Sequence, residues 1–80
     1  MKIVKIKEDS LASKIGLHPG DHLYRINGKR VIDEIDYHFR ITEESLVLDF
    51  EMNGKIERIE VEKEYDDDLG VEFEEMKIRS

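Results

Sequence analysis

The sequence contains no cysteine, and this absence excludes several kinds of chemistry from the chain. Without a thiol it forms no disulfide, ligates no iron–sulfur cluster and performs no thiol catalysis. It also lacks a long apolar run, so we expect neither a signal peptide nor a membrane span. Together these absences favour a cytoplasmic protein, and the length of 80 residues allows a single domain with a thin core.

Positive charge is scarce relative to negative charge, giving a net charge of −7. Residues 1–56 carry ten acidic and nine basic side chains, whereas residues 57–80 carry ten acidic and four basic ones. An acidic surface repels nucleic acid and anionic lipid, so we expect neither as a partner. The excess of negative charge over residues 57–80 is explained either by a solvated face that keeps the domain soluble or by a face that steers a basic partner.

The residue pattern predicts six extended segments and two helices. The extended segments are residues 3–6, 22–26, 29–31, 46–52, 55–62 and 71–74, and the helices are a short one between Ser10 and Gly16 and a second over about 34–42. Asn27-Gly28 is the strongest short turn signal, and Asn53-Gly54 predicts a second tight turn that joins residues 46–52 and 55–62 into a hairpin, because Asn and Gly tolerate the positive φ of a two-residue loop. The order of elements predicts a mainly antiparallel sheet, closed into a partly open barrel capped by two helices.

Both predicted helices carry recognisable end signals. Asp9 or Ser10 is suited to cap the first helix, and Asp33 is suited to cap the second. In the second helix Ile35 and Phe39 lie one turn apart, so we expect this face to meet the core.

Residues 10–28 carry a family resemblance. The run from Ser10 to Gly28 resembles the helix–strand–turn signature of bacterial PDZ domains, small–x–A–x–x–x–G–L–x–x–G–D–x–L–x–x–I–N–G. The resemblance implies an α+β, mainly β fold: a PDZ-like, partly open antiparallel barrel with two helices, circularly permuted. We expect residues 1–75 to form this domain and residues 76–80 to be a frayed tail.

Two further stretches resemble a narrower group. Residues 35–39 and 64–74 are similar to the N-terminal PDZ segment of a prokaryotic family, in which it precedes a radical-SAM, iron–sulfur oxidoreductase-like domain. The resemblance implies that the chain is part of a larger protein whose cluster-binding cysteines lie beyond Ser80. We expect this chain alone to hold no cofactor and to be no enzyme.

The PDZ resemblance implies binding by β-augmentation, in which a peptide adds as a strand to a sheet edge beside a helix. The apolar–Gly–apolar loop and edge strand that this needs are found only near the C-terminus. One wall of the predicted groove is Leu69, Gly70, Val71 and Phe73, and the other wall is Ile32, Asp36 and Arg40. The alternative is that Leu69, Val71 and Phe73 are ordinary core residues of a strand.

Three carboxylates, Asp66–Asp68, precede this loop. Each repels an anionic peptide terminus by on the order of 1 kcal/mol at about 4 Å in water. We therefore expect the partner to be an internal or basic protein segment, or the rest of the parent protein, and we expect the chain to be a monomer. Alternatively the aspartates only cap a turn, and the domain is a structural module docked permanently on its parent.

Two other clusters are weaker candidates. His18, Asp21 and His22 are metal-ligand types, but they lie on a tight turn and the start of a strand, so we expect no metal. Lys29 and Arg30 form a small basic spot at a hairpin tip, which is more typical of a solubilising turn than of a nucleic-acid site.

Overall fold

The structure is a computed structural model that describes residues 1–74, with six strands and two helices. In chain order the elements are β1 (Ile3–Ile6), α1 (Leu11–Lys14), β2 (His22–Ile26), β3 (Lys29–Arg30), α2 (Glu34–Arg40), β4 (Ser45–Met52), β5 (Lys55–Glu62) and β6 (Val71–Phe73). All the predicted elements are present. The predicted tail, residues 76–80, and the domain boundary at residue 75 lie outside the described residues.

The strands form two antiparallel sheets. One has four strands in the order β3-β2-β4-β5, and the other pairs β1 with β6. A bridge between Lys2 and His22 and hydrogen bonds between Met1 and Leu23 connect them. This mainly β architecture with two helices confirms the predicted fold class, and it makes the first and last strands of the described chain direct neighbours.

The β4–β5 hairpin forms in the predicted register. Leu46 lies opposite Val61, and Met52 lies opposite Lys55. At the turn, Asn53 has a φ of 53° and Gly54 a φ of 79°. Positive φ at both positions is what a type I′ turn requires, and its twist matches that of the flanking strands.

The strand β2 departs from simple alternation. Its register against β4 shifts between Leu23 and Arg25, so that Tyr24 is an extra residue, as in a β-bulge. The shift lets both Leu23 and Ile26 point into the core, although their spacing of three residues would place them on opposite faces of a regular strand.

The short helix α1 is held at both ends. The Ser10 side chain caps it by accepting a hydrogen bond from the Ser13 amide at 3.2 Å, as predicted. After the helix, Gly16 has a φ of 87°, which closes the helix in the left-handed region. The helix buries Ala12 completely.

The helix α2 presents a different face to the core from the one predicted. Asp33 caps it as expected, accepting from the Asp36 amide at 2.8 Å. However, Ile35 and Phe39 are 81% and 77% exposed, whereas Tyr37 is 2% exposed. The prediction failed because the helix has apolar residues on two faces, and the one carrying the large Tyr37 ring packs inward.

One cluster of fourteen buried apolar residues forms the core. It draws on both sheets and both helices: Ile3, Ala12, Leu17, Leu23, Ile26, Val31, Tyr37, Ile41, Leu46, Leu48, Phe50, Val61, Leu69 and Phe73. None of the helices formed by residues 1–74 has the length and apolarity that crossing a membrane requires.

Candidate functional site

The strand β6 has one edge paired and the other facing a helix. Within residues 1–74 its single strand neighbour is β1. Between β6 and α2 lies a cleft of about 320 Å³, which we call the α2–β6 cleft. Its lining combines apolar and ionisable side chains: Glu34, Tyr37, His38, Asp68, Val71, Glu72 and Phe73.

An aromatic contact joins the two walls of this cleft. The rings of Tyr37 and Phe73 meet edge to face, with centroids 4.8 Å apart. The Tyr37 hydroxyl donates a hydrogen bond to Asp68 Oδ1 at 3.4 Å. Burial, and secondarily the charge and hydrogen bond of Asp68, raise the pKa of Tyr37 well above its usual value.

The loop before β6 is fixed by its carbonyl groups. The Leu69 carbonyl accepts a hydrogen bond from the Ala12 amide at 2.8 Å, and the Gly70 carbonyl accepts one from the Lys7 amide at 2.8 Å. Within residues 1–74 the amides of Leu69 and Gly70 donate no hydrogen bond. Because Leu69 is completely buried whereas Gly70 is partly exposed, of these two amides only that of Gly70 is accessible to a ligand or to water.

Gly70 meets a steric requirement in this loop. Its φ is +83°, and a Cβ there would overlap the Cβ of Ser10. Only glycine combines this backbone conformation with so close an approach. The loop and the first turn of α1 are thus packed against each other at this one position.

A second cavity, of about 330 Å³, lies beside the first. It shares Asp68, Val71 and Glu72 with the α2–β6 cleft and adds Lys5 and Lys7. The sequence indicated only carboxylates near the glycine loop, and the lysines were missed. The pairing of β1 with β6 brings them there, and their alternation with Ile6 along β1 was the available signal.

The predicted strand wall of the groove lies at this site. Gly70, Val71 and Phe73 line one or both cavities, whereas Leu69 is completely buried in the core. The alternative interpretation is therefore correct for Leu69, and Phe73 serves both the core and the cleft. That these residues bind a peptide stays a prediction.

The helix wall is built from residues other than those predicted. Ile32, Asp36 and Arg40 do not line the α2–β6 cleft. Instead Asp36 accepts hydrogen bonds from Arg40 Nε at 2.9 Å and from the Ile32 amide at 3.2 Å. The helix contributes Glu34, Tyr37 and His38, whose i, i+3, i+4 spacing defines one helical face.

The three aspartates of the loop have different surroundings. Asp66 and Asp67 are exposed, and the Asp67 amide closes a turn by donating to the Glu64 carbonyl at 3.0 Å. Only Asp68 reaches the two cavities. Of the three aspartates only Asp68 therefore lies at the site, where Glu34 and Glu72 add negative charge and Lys5 and Lys7 oppose it.

The histidine cluster near residue 20 forms a turn. The His18 amide donates to Asp21 Oδ2 at 2.8 Å. Across residues 1–74 no group of three or more histidine, aspartate or glutamate side chains is arranged to hold a metal ion.

Comparisons with known proteins identify the fold. No protein-family model matches the sequence, and no curated protein matches it. Among solved structures, the PDZ domain of an SdrC-like protein from Listeria monocytogenes is similar with a TM-score of 0.72 and 16% identity, over 88% of this chain and 82% of that one. The PDZ domain of an SdrC-like protein from Listeria innocua gives a TM-score of 0.71 and 22% identity, over 95% and 94%. The chain therefore has a PDZ-like fold.

Proposed function

We propose that this PDZ-like chain is a non-catalytic interaction module that binds an extended protein segment in the α2–β6 cleft. The segment adds to the sheet as a strand beside β6. The observation that carries the proposal is an edge of β6: among residues 1–74, one side of the strand pairs with β1, and the other pairs with no strand and faces α2 across a cleft. An unpaired strand edge offers backbone donors and acceptors to an incoming strand.

The lining of the cleft supports a ligand with mixed character. Val71 and Phe73 supply apolar surface for an aliphatic side chain, while Glu34, Asp68 and Glu72 supply negative charge. We infer that the segment carries at least one basic side chain and is an internal segment. The ammonium groups of Lys5 and Lys7 and the accessible amide of Gly70 favour, in contrast, a segment that ends in a free carboxylate.

A peptide-library selection followed by NMR tests this proposal. We expect the selected peptide to shift the backbone amide signals of residues 69–73 and 34–38 in the labelled chain. A version of the peptide with alternate backbone amides N-methylated keeps every side chain but cannot form the strand ladder, so we expect it not to bind. A version amidated at its C-terminus separates internal recognition from carboxylate capture.

Three outcomes decide the matter. Shifts confined to surfaces outside these two segments would rule out the cleft as the binding site. Binding that survives N-methylation would retain the cleft but reject β-augmentation. A large loss on C-terminal amidation would reject an internal segment in favour of carboxylate capture.

A second candidate function rests on the outer face of α2. Ile32, Ile35 and Phe39 are 72%, 81% and 77% exposed, and together they form an apolar stripe. Exposed apolar patches mark interaction surfaces. This favours a structural module that docks permanently on another part of its parent protein through α2. Hydrogen exchange of α2 in the isolated chain and in the parent protein tests this, because docking would slow exchange in the parent alone.

We further propose that the parent is a cytoplasmic protein with a radical-SAM, iron–sulfur oxidoreductase-like domain, and that the isolated chain is monomeric. The support is the resemblance of residues 35–39 and 64–74 to the PDZ segment of that family. The reading frame in the source genome tests the first point: continuation into a cysteine-containing segment is expected, and a stop codon after Ser80 would reject it. Sedimentation of the isolated chain tests whether it is a monomer.

A further inference from the structure

Three arginines and one aspartate form a row across the four-stranded sheet, on the face opposite to the core. Arg30 lies opposite Arg25, Arg25 opposite Asp49, and Asp49 opposite Arg58. Asp49 is 2% exposed and accepts a hydrogen bond from Arg58 Nε at 2.9 Å, while Arg25 Nη1 lies 4.0 Å from its second oxygen. The row thus holds one carboxylate, which contacts two of its three guanidinium groups, and it carries excess positive charge.

The bulge residue Tyr24 organises two of these arginines. The guanidinium carbon of Arg25 lies 4.4 Å from the centre of the Tyr24 ring, and that of Arg30 lies 5.2 Å from it. Guanidinium groups over an aromatic ring are attracted by its negative face, and their N–H edges stay available for a planar anion. Both guanidinium groups therefore contact the same ring, and the two residues lie directly opposite each other on neighbouring strands.

The stability of the sheet does not account for the placement of Arg30 opposite Arg25. Like charges directly opposite each other on neighbouring strands are destabilising. Arg58 and Arg25 are explained by the buried Asp49, but among the described residues Arg30 has no carboxylate within ion-pair distance. The charge of Arg30 even adds to burial in lowering the pKa of the Met1 ammonium. Positive charge is thus concentrated at one corner of a chain whose net charge is −7.

We infer that Arg25 and Arg30, held on Tyr24, form a docking site for a carboxylate side chain of an acidic protein segment. The site is on the β2–β3 corner and involves no residue of the α2–β6 cleft, so it does not depend on the proposed function. A carboxylate placed between the two guanidinium groups relieves their repulsion and accepts charge-assisted hydrogen bonds from both. A single acidic segment fits the small size of the patch, whereas nucleic acid or an anionic membrane would also meet the acidic remainder of the chain.

The full 80-residue chain and a short polyglutamate peptide with both ends blocked test this site. Blocked ends remove the terminal carboxylate, so the peptide cannot be captured through a free C-terminus. At an ionic strength of about 0.01 M, where the screening length is about 30 Å, we expect shifts of the Tyr24, Arg25 and Arg30 backbone amides and of the arginine Nε–H signals. Polyglutamine of the same length is expected to cause none.

Two matched variants separate a specific site from general attraction. Arg30→Gln and Lys29→Gln remove the same charge from adjacent positions of β3, but only Arg30 lies over Tyr24. We expect Arg30→Gln to weaken polyglutamate binding about tenfold, the effect of one charge-assisted contact, and Lys29→Gln to weaken it less than about twofold. Arg30→Gln removes both a like-charge pair and a contact with the Tyr24 ring, which have opposite effects on stability, so we expect its melting temperature to stay close to that of the parent chain.

The inference would be overturned if Arg30→Gln and Lys29→Gln lost the same affinity for polyglutamate. It would also be overturned if polyglutamate caused no shift of the Tyr24, Arg25 and Arg30 signals. Shifts of the same signals by phosphatidylglycerol vesicles without any response to polyglutamate would likewise overturn it, and would assign the corner to anionic membranes.

Discussion

Phe73 of β6 and Tyr37 of α2 meet edge to face, with their ring planes at 73°. This is the contact that holds the last strand of the described chain against the second helix. Such aromatic pairs contribute about 0.5–1.5 kcal/mol beyond the area they bury. The separation of β6 from α2, and with it the width of the α2–β6 cleft, therefore depends on two rings.

Truncating Tyr37 should destabilise the fold strongly, whereas truncating Phe39 on the other face of α2 should have little effect. We expect Tyr37→Ala to lower the free energy of unfolding by about 3–5 kcal/mol, the range for losing a buried aromatic ring. Phe39→Ala removes an exposed ring, and we expect a change within about 0.5 kcal/mol. Urea denaturation measures both, and a comparable loss in the two variants would mean that α2 packs through its other face.

Tyr37 should also make the stability sensitive to alkaline pH. Burial, and then Asp68, raise the pKa of Tyr37 above its ordinary value of 10.0, so the folded state holds this proton more tightly than the unfolded state. The contribution of this proton to the free energy of unfolding is fully present below pH 10.0 and is lost progressively as the pH rises above that value. We expect the parent chain to lose stability more steeply than Tyr37→Phe above about pH 10, by up to about 1.4 kcal/mol per pH unit.

Urea unfolding at a series of pH values measures this difference. Tyr65→Phe, which removes an exposed tyrosine, is the control and should follow the parent chain. Parallel curves for the parent chain and Tyr37→Phe would show that Tyr37 keeps its proton no more tightly when folded.

Gly70 should be far less tolerant of alanine than Gly54. Both have positive φ, but a Cβ at Gly54 meets nothing within 4 Å, whereas one at Gly70 overlaps Ser10. We expect Gly54→Ala to cost about 1–2 kcal/mol from its backbone conformation alone, and Gly70→Ala to cost more. Thermal or urea unfolding compares the two.

A double variant isolates the steric part of this effect. Ser10→Gly removes the Cβ that collides, and glycine costs only a few tenths of a kcal/mol at a helix N-cap. Adding Ser10→Gly to Gly70→Ala should therefore restore part of the lost stability. If the two losses simply add, the loop and α1 are not packed as the structure has them.

The buried Asp49 should depend on Arg58. We expect Arg58→Met to destabilise the fold, because Asp49 is then left with Arg25 Nη1 at 4.0 Å as its nearest cation. Adding Asp49→Asn removes the buried charge, and the double variant should be more stable than Arg58→Met alone. A double variant that is less stable than either single variant would show that Arg58 is not the main partner of Asp49.

The local signals of the sequence predicted much of the fold. Asn53-Gly54 located the hairpin, and Ser10 and Asp33 located the helix starts, because turns and caps depend on residues adjacent in the chain. The side of α2 that faces the core was not predictable in the same way. It depends on Phe73, which is distant in sequence and reaches Tyr37 only through tertiary structure.

In the candidate site, too, the part formed by adjacent residues was predictable from the sequence, and the part formed by tertiary contacts was not. The apolar–Gly–apolar loop was visible in the sequence as Leu69, Gly70 and Val71, since it is one continuous segment. Its cationic neighbours, Lys5 and Lys7, come from the opposite end of the chain and reach it only through the pairing of β1 with β6. Charge near a site built by such a pairing cannot be assigned from adjacent residues.

That pairing also determines how the domain responds to force. The Glu74 amide donates to the Lys2 carbonyl at 2.9 Å, so the two ends of the described chain leave the domain side by side. Tension between them loads the β1–β6 hydrogen bonds one at a time. The N-terminal end is also bonded to β2 through Met1 and Leu23, whereas among the described strands β6 pairs with β1 alone. The cleft wall formed by β6 is therefore the first part of the domain to yield under tension.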